Sequence, residues 1–168
     1  MVSGLKLFDL NGKTALITGS SQGIGYALAK GLADAGSDII LNGRNTEKLK
    51  QSAEAINTKQ NIFQLCFDVT NYEQTKRSID KFEKDIKPID ILINNAGMQF
   101  RTPLEDFPPE MFEQLLKTNI SSVFNVSQVV AKYMIKRGEG KIINIASVQT
   151  ALARPGIAPY TATKGAVG

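Results

Sequence analysis

A tyrosine and a lysine near the end of the chain have the spacing that brings two side chains onto one face of a helix. Tyr160 and Lys164 lie four residues apart in a segment that we predict to be helical. An ammonium group beside a phenol stabilises the phenolate and makes the phenol a stronger acid. The pair is therefore suited to general acid–base chemistry.

The Tyr-x-x-x-Lys spacing is not specific by itself, because it occurs three times in this chain, the other two pairs beginning at Tyr26 and Tyr72. Those two pairs have no serine at the end of an upstream strand. Tyr160 does, since Ser147 directly follows a predicted strand over 141–146 and precedes the tyrosine by 13 residues. This arrangement separates Tyr160 from a coincidental match.

One amide lies inside a long predicted helix, over 110–137, among apolar side chains. Asn119 is flanked by leucine, isoleucine and valine at helical spacing. A polar amide on an apolar face needs hydrogen-bond partners. Two interpretations stay open: a core asparagine satisfied within the protein, or part of a proton path.

A glycine-rich turn follows the first predicted strand and opens onto a helix. Its glycines are Gly19, Gly23 and Gly25, in the pattern G-x-x-x-G-x-G. Glycine is needed where the chain turns sharply or a ligand comes too close for a Cβ. Backbone N–H groups and the helix dipole then face a phosphate, so we expect Ser20, Ser21 and Ile24 of this turn to help bind a dinucleotide.

The loop after the second predicted strand offers a cation rather than an anion. No carboxylate stands before Glu47 to hold a ribose 2′-hydroxyl, whereas Arg44 provides a charge for a 2′-phosphate, assisted by Asn45 and Ser20. This favours NADP over NAD. The alternative is that Arg44 is a solvated loop cation.

Polar residues also follow the third and fourth predicted strands. After the third, the Asp68 carboxylate and Val69 are candidates for binding an adenine, although a turn aspartate that starts the next helix explains Asp68 equally well. After the fourth, Asn95, Ala96 and Gly97 form a polar, glycine-containing segment beside the expected cofactor ribose. Alone, that segment is also consistent with a simple turn.

The composition excludes several classes of protein. With 168 residues, 42% hydrophobic and 21% charged, the chain has the length and composition of one soluble domain over 1–168. The absence of histidine rules out histidine-based triads and histidine metal sites, and the single Cys66 fits a reducing cytoplasm. No apolar run has the length of a membrane span. The net charge of +4 is scattered, which argues against a nucleic-acid partner.

Strands and helices alternate along the chain with short connections. We predict strands over 15–17, 38–42, 62–67, 89–93 and 141–146, a helix over 47–59 capped by Thr46, and a last helix after the loop over 148–157. This alternation predicts an α/β fold with a doubly wound parallel sheet, a Rossmann-type three-layer α/β/α arrangement.

These motifs resemble those of the short-chain dehydrogenases/reductases. The family's Thr-Gly-x-x-x-Gly-x-Gly, Asn-Asn-Ala-Gly and Ser…Tyr-x-x-x-Lys motifs stand in order as 18–25, 94–97 and 147–164. Within the family the chain is most similar to the gluconate 5-dehydrogenases, through FDLNGKTALITGSSQGIG, KIINIASVQ and LARPGIAPYTATKGAV. The 3-oxoacyl-carrier-protein reductases share the general motifs and are the alternative.

The resemblance implies a role for each matching residue. Tyr160 would be the general acid/base and Lys164 would hold the nicotinamide ribose and make Tyr160 more acidic. Ser147 would bind the substrate oxygen, and Asn119 would position a water that links Lys164 to solvent. The implied reaction interconverts a secondary alcohol and a ketone with NADP (NAD being possible), without a metal. For a sugar-acid or polyol substrate, the candidate contacts are Arg101, Gln149 and Arg154; the alternative for each arginine is a surface ion pair.

The resemblance also implies that the fold is incomplete at the C-terminus. The family's sheet continues further, whereas this chain stops four residues after Lys164. We expect an unpaired apolar edge at the fifth strand, weak cofactor binding and little or no activity. A non-catalytic cofactor-binding module is therefore a second alternative. A homo-oligomer is expected for a full-length relative, located in the cytoplasm.

Overall fold

The computed structural model describes residues 3–168, so residues 1 and 2 of the predicted domain lie outside the described part. Its centre is a five-stranded, all-parallel sheet with the strand order β3-β2-β1-β4-β5. The strands are β1 Thr14–Ile17, β2 Asp38–Gly43, β3 Ile62–Cys66, β4 Ile91–Asn94 and β5 Lys141–Asn144. The predicted α/β class with a doubly wound sheet is confirmed.

Helices connect the strands and cover both faces of the sheet. They are α1 Gly23–Asp34, α2 Thr46–Ala55, α3 Tyr72–Asp85, α4 Pro109–Leu116, α5 Ser122–Arg137 and α6 Ala158–Val167, with short 3₁₀ turns at Ser3–Phe8, Leu104–Asp106 and Val148–Thr150.

One cap differs from the prediction. Asn45, not Thr46, caps α2, because its side-chain oxygen accepts a hydrogen bond from the Lys48 N–H at 2.9 Å. The helix ends at Ala55, before the predicted residue 59, because Ile56 is extended.

Alternate strand residues pack into two separate apolar layers. Leu16, Ile40 and Leu92 pack against α3 and α5 on one face of the sheet. Ala15, Ile17, Ile39, Leu41, Ile91 and Ile93 pack against α1 and α2 on the other. Strands with both faces buried read as continuous apolar runs, which is why they stood out in the sequence.

The direction of chain winding reverses at β1. Ile17, near the carboxyl end of β1, pairs with Leu41 of β2 on one side and with Ile93 of β4 on the other. The connections from β1 and β4 therefore diverge and leave a crevice beyond the strand ends. Ligands of such sheets bind in this crevice.

The long predicted helix over 110–137 contains one widened turn. Between α4 and α5, residues Lys117–Ser121 form a π-helical turn in which the Ser122 N–H donates to the Lys117 carbonyl, five residues earlier. The carbonyl of Thr118 instead accepts from the Ser122 hydroxyl at 2.5 Å. Asn119 lies in this turn.

The β5 strand lies at one edge of the sheet, as predicted. Ile142 and Ile143 are 39% and 49% exposed, unlike the buried residues of β1, β2 and β4.

Along the described part of the chain, no helix combines the length and apolar character that crossing a bilayer requires.

Candidate active site

The glycine turn packs against the segment that follows β4. Gly19 has a φ of +63°, and a Cβ there would lie 3.0 Å from the Ala96 Cα. A Cβ at Gly25 would lie 2.5 Å from both the Asn95 amide nitrogen and the Gly19 carbonyl oxygen. Both positions thus need glycine for the close approach of two backbone segments.

A cleft of about 430 Å³ opens beyond the carboxyl ends of the strands. This volume is in the range of small-molecule sites. Its lining brings together eight of the residues predicted to bind the cofactor: Gly19, Ser21, Arg44, Asp68, Val69, Asn95, Ala96 and Gly97. The remaining lining residues are Gln22, Asn42, Gly43, Phe67, Thr70, Met98, Gln114 and Thr118.

Arg44 and Asp68 face each other at one end of this cleft. A guanidinium nitrogen of Arg44 lies 3.9 Å from one carboxylate oxygen of Asp68, and the Arg44 side chain is 80% exposed. The other carboxylate oxygen accepts from the N–H and hydroxyl of Thr70 at 2.9 and 2.8 Å. Asp68 therefore shapes its own turn with one oxygen and leaves the other toward the cleft.

The predicted role of Ser20 in assisting Arg44 requires a correction. Ser20 is 0% exposed, and its hydroxyl donates to the Ile17 carbonyl at 2.7 Å and accepts from the Asn42 N–H at 2.9 Å. The hydroxyl is thus used within the fold, where it joins β1 to β2. Ser21 has the partly exposed side chain beside the cleft.

Three other predicted cofactor residues lie near the cleft but not in its lining. The Asn45 oxygen is used to cap α2. Gly23 begins α1 with a φ of +61°, and within residues 3–168 no other segment comes within 4 Å of a Cβ built there. Ile24 is 68% exposed in the first turn of α1.

Lys164 reaches from α6 to the end of β5. Its ammonium nitrogen donates to the Ile145 carbonyl at 2.7 Å and lies 6.0 Å from the centre of the Tyr160 ring. A Cβ at Gly97 would lie 3.9 Å from the same nitrogen. The amine is therefore beside a residue that lines the cleft, and the predicted Tyr160–Lys164 pair does share one side of α6.

The environment of Lys164 disfavours its charge. The side chain is buried, and this burial lowers the pKa of Lys164 below its ordinary value of 10.5. A hydrogen bond to a neutral carbonyl leaves the amine available to a polar ligand group.

Ser147 follows β5 and begins the 3₁₀ turn. Its side-chain oxygen accepts from the Gln149 N–H at 3.2 Å. The side-chain carbonyl oxygen of Gln149 is buried and has no hydrogen-bond partner among the described residues. A buried acceptor without a donor is unusual in a folded protein.

Asn119 fits the first of its two interpretations. Its side-chain oxygen accepts from the Met98 N–H at 2.8 Å, and its amide nitrogen donates to the Met98 carbonyl at 2.9 Å and to the Thr163 hydroxyl at 3.0 Å. The side chain is thus satisfied within the protein and joins the segment after Gly97 to α6. A proton path through Asn119 stays a prediction.

The two candidate substrate arginines lie on neighbouring loops. Arg101 precedes Thr102, whose N–H donates to the Gly156 carbonyl at 3.1 Å, and Arg154 lies two residues before that glycine. Both side chains are exposed, and neither belongs to an ion pair within residues 3–168. Arg101 also lines a surface groove with Leu104 and other residues of both loops.

Two residues that organise the site were not predicted. The hydroxyl of Thr18 accepts from the N–H groups of Asn95 and Ala96, both at 3.0 Å. The side-chain oxygen of Asn42 accepts from the Gly19 N–H at 3.3 Å. Their signal in the sequence is a polar residue at the carboxyl end of an otherwise apolar strand.

The family profile of the short chain dehydrogenases matches residues 13–168. This chain belongs to the short chain dehydrogenase family. The glycine turn, the segment after β4 and the Tyr160–Lys164 pair all lie within the matched residues.

Members of the family with gluconate-related names are similar to this chain. A gluconate 5-dehydrogenase of Gluconobacter oxydans (strain 621H) is 54% identical over 164 residues, and a 5-keto-D-gluconate 5-reductase of Escherichia coli (strain K12) is 44% identical over 163 residues. A crystal structure of a gluconate 5-dehydrogenase from Burkholderia cenocepacia J2315 in complex with NADP and tartrate has a TM-score of 0.91 at 50% identity.

These similarities cover nearly all of this chain and less of its relatives. Each of the two aligned sequences covers 96% of the chain, which spans 63% of the Gluconobacter protein and 64% of the Escherichia coli protein. The structural match covers 98% of the chain and 65% of the Burkholderia protein.

Proposed function

We propose that this chain carries the cofactor site and the catalytic side chains of an NADP-dependent oxidoreductase that interconverts a secondary alcohol and a ketone. One observation carries the proposal: the buried Lys164 amine lies beside both the Tyr160 ring and Gly97, which lines the cleft at the strand ends. The substrate pair that we propose is gluconate and 5-keto-gluconate, because the related proteins of Gluconobacter and Escherichia coli carry those names.

The shape of the cleft fits a dinucleotide. The close packing of Gly19 on Ala96 holds the glycine turn in front of α1. The N–H groups at the start of α1 would bind the pyrophosphate there. Arg44 would bind the 2′-phosphate, and Asp68 and Val69 would flank the adenine. Gly97 and Lys164 would contact the nicotinamide ribose. The NADP complex of the Burkholderia gluconate 5-dehydrogenase supports this cofactor.

When bound, the nicotinamide group accepts or supplies the hydride of the reaction. Tyr160 takes the alcohol proton during oxidation and returns it during reduction. Lys164 stabilises the phenolate form of Tyr160, and Ser147 donates a hydrogen bond to the substrate oxygen as its charge develops. Asn119 holds the Met98 segment and α6 in register.

The loops around the cleft supply groups that suit a sugar acid. Arg101 and Arg154 provide cations for the carboxylate on two loops joined by the hydrogen bond from Thr102 to Gly156. The Gln149 side-chain oxygen, which has no partner among the described residues, would accept a substrate hydroxyl once its side chain turns out of its buried position. The cytoplasmic location and a homo-oligomer for the full-length relatives stay predictions.

The experiment combines cofactor binding with a substrate panel. NADPH fluorescence measures binding, and absorbance measures reduction of 5-keto-D-gluconate, a 3-oxoacyl thioester and simple ketones. The proposal expects 5-keto-D-gluconate to react fastest. Preference for the thioester would favour the carrier-protein reductases, and NADPH binding without any turnover would favour a non-catalytic module. Absence of binding would refute the proposed cofactor site.

A further inference from the structure

We propose that Thr163 is a positioning residue that couples the segment after β4 to the catalytic helix. This inference rests on the proposed function and deepens it. Thr163 lies between Tyr160 and Lys164 and is 0% exposed. Nothing in its position along the sequence distinguishes it from Thr161, two residues earlier.

The hydroxyl of Thr163 makes two hydrogen bonds in opposite directions. It accepts from the Asn119 amide nitrogen at 3.0 Å and donates to the Tyr160 carbonyl at 2.8 Å. Because this buried hydroxyl both donates and accepts a hydrogen bond, its side chain is held in one orientation. The first turn of α6 is therefore attached to the Asn119 side chain.

Asn119 connects α6 to the segment that lines the cleft. It binds both the N–H and the carbonyl of Met98, which follows Gly97 directly. The chain of contacts thus runs from Met98 through Asn119 and Thr163 to the backbone of Tyr160. Lys164 completes the arrangement from the other side, since it is held by the Ile145 carbonyl.

The chemical consequence is a fixed separation between Gly97 and the phenol and amine of α6. Chains of satisfied, buried hydrogen bonds are more rigid than isolated ones. If Thr163 loses its hydroxyl, Asn119 keeps its bonds to Met98 but no longer holds α6. The end of the cleft at Gly97 then loses its alignment with Tyr160, whereas the end at Arg44 is unchanged.

The same helix supplies a matched control. The hydroxyl of Thr161 is buried and has no hydrogen-bond partner among the described residues. Thr163→Val and Thr161→Val are therefore the same isosteric change on one helix, and only the first removes hydrogen bonds. Thr163→Ser retains the hydroxyl and should rescue the effect.

The first measurement compares two ligands of different reach. NADPH spans the cleft, whereas 2′,5′-ADP occupies only the end near Arg44. We expect Thr163→Val to raise the Kd of NADPH about 3- to 10-fold, the change that the loss of one hydrogen bond typically causes. The Kd of 2′,5′-ADP should stay unchanged. Thr161→Val and Thr163→Ser should match the wild type. Equal weakening of both ligands, or no weakening of either, would overturn the inference.

The second measurement does not depend on cofactor or turnover. In ¹⁵N NMR spectra, the side-chain amide protons of Asn119, assigned by their absence in Asn119→Asp, should exchange slowly with solvent in the wild type. Thr163→Val should speed this exchange about 3- to 10-fold. Unchanged exchange would overturn the inference even if NADPH binds. Failure of both nucleotides to bind the wild type would instead refute the proposed cofactor site.

Discussion

The ammonium nitrogen of Lys164 donates a hydrogen bond of 2.7 Å to the carbonyl oxygen of Ile145, just beyond the end of β5. This bond holds a buried amine at the edge of the cleft, and no carboxylate within residues 3–168 forms an ion pair with it. The positive charge of this amine therefore has a desolvation cost, and a ligand with hydroxyl groups can also bind the amine.

We expect the stability of the chain to show this cost. Burial makes the pKa of Lys164 lower in the folded chain than in the unfolded chain, where it takes its ordinary value of 10.5. Between these two values the unfolded chain binds more protons, so the free energy of unfolding rises with pH. Urea denaturation from about pH 7 to 10.5 should therefore show the wild type gaining stability relative to Lys164→Met.

The control for this pH series is Lys81→Met, at an exposed lysine of α3. Its stability should follow that of the wild type across the whole range. A constant difference between the wild type and Lys164→Met at every pH would show that burial does not affect the charge of Lys164.

The glycine turn gives a prediction about packing. Gly25→Ala should lower the free energy of unfolding by about 1 to 3 kcal/mol, because the new Cβ overlaps the Asn95 amide and the Gly19 carbonyl. Gly31→Ala is the matched change on the same helix, where no other segment of the described residues comes within 4 Å of the new Cβ. Gly31→Ala should raise the free energy of unfolding by about 0.5 to 1 kcal/mol. Equal effects of the two changes in urea denaturation would refute the close packing at Gly25.

Arg44 gives a prediction about cofactor choice. Arg44→Leu should weaken NADPH binding about 10-fold through loss of one charge-assisted hydrogen bond, and leave NADH binding unchanged. Because the side chain is 80% exposed, this effect should shrink as the salt concentration rises. Fluorescence titrations of both nucleotides at low and high salt test this, with Arg77→Leu, an exposed arginine of α3, as the control. Equal weakening of NADPH and NADH would contradict a 2′-phosphate site.

Tyr160 gives a prediction about the chemical step. Loss of a general acid costs about 10²-fold or more, so Tyr160→Phe should reduce the turnover of 5-keto-D-gluconate by at least that factor. NADPH binding should weaken by no more than about 10-fold, because the ring remains and only one hydrogen bond to the ribose is lost. The comparison requires absorbance assays at high enzyme concentration, with Tyr26→Phe as the control. Turnover that survives in Tyr160→Phe would assign the proton transfer to another group.

The sequence allowed the layer order to be predicted because each buried strand is a short apolar run between helices. Eight residues of the cleft followed from the same rule, since the ends of parallel strands meet at one edge. The role of Ser20 could not be predicted this way. Its serine type fits a phosphate site, but its orientation depends on the pairing of β1 with β2.

The widened turn at Lys117–Ser121 could not be predicted from the sequence pattern either. A helix with apolar residues at regular spacing predicts an unbroken α-helix over 110–137, whereas the Ser122 N–H bonds five residues back instead of four. The hydrogen bonds of Asn119 to Met98 and Thr163 are long-range contacts. Such contacts have no local signature beyond a polar residue on an apolar face.

A crystal structure of the chain with NADP⁺ bound would show directly how the cofactor lies in the cleft. We predict the 2′-phosphate at Arg44, the pyrophosphate at the start of α1 beside Gly19, and the nicotinamide ribose within hydrogen-bond distance of the Lys164 amine and the Tyr160 hydroxyl. A nucleotide bound elsewhere, or bound in the cleft with its nicotinamide directed away from Tyr160 and Lys164, would contradict the account.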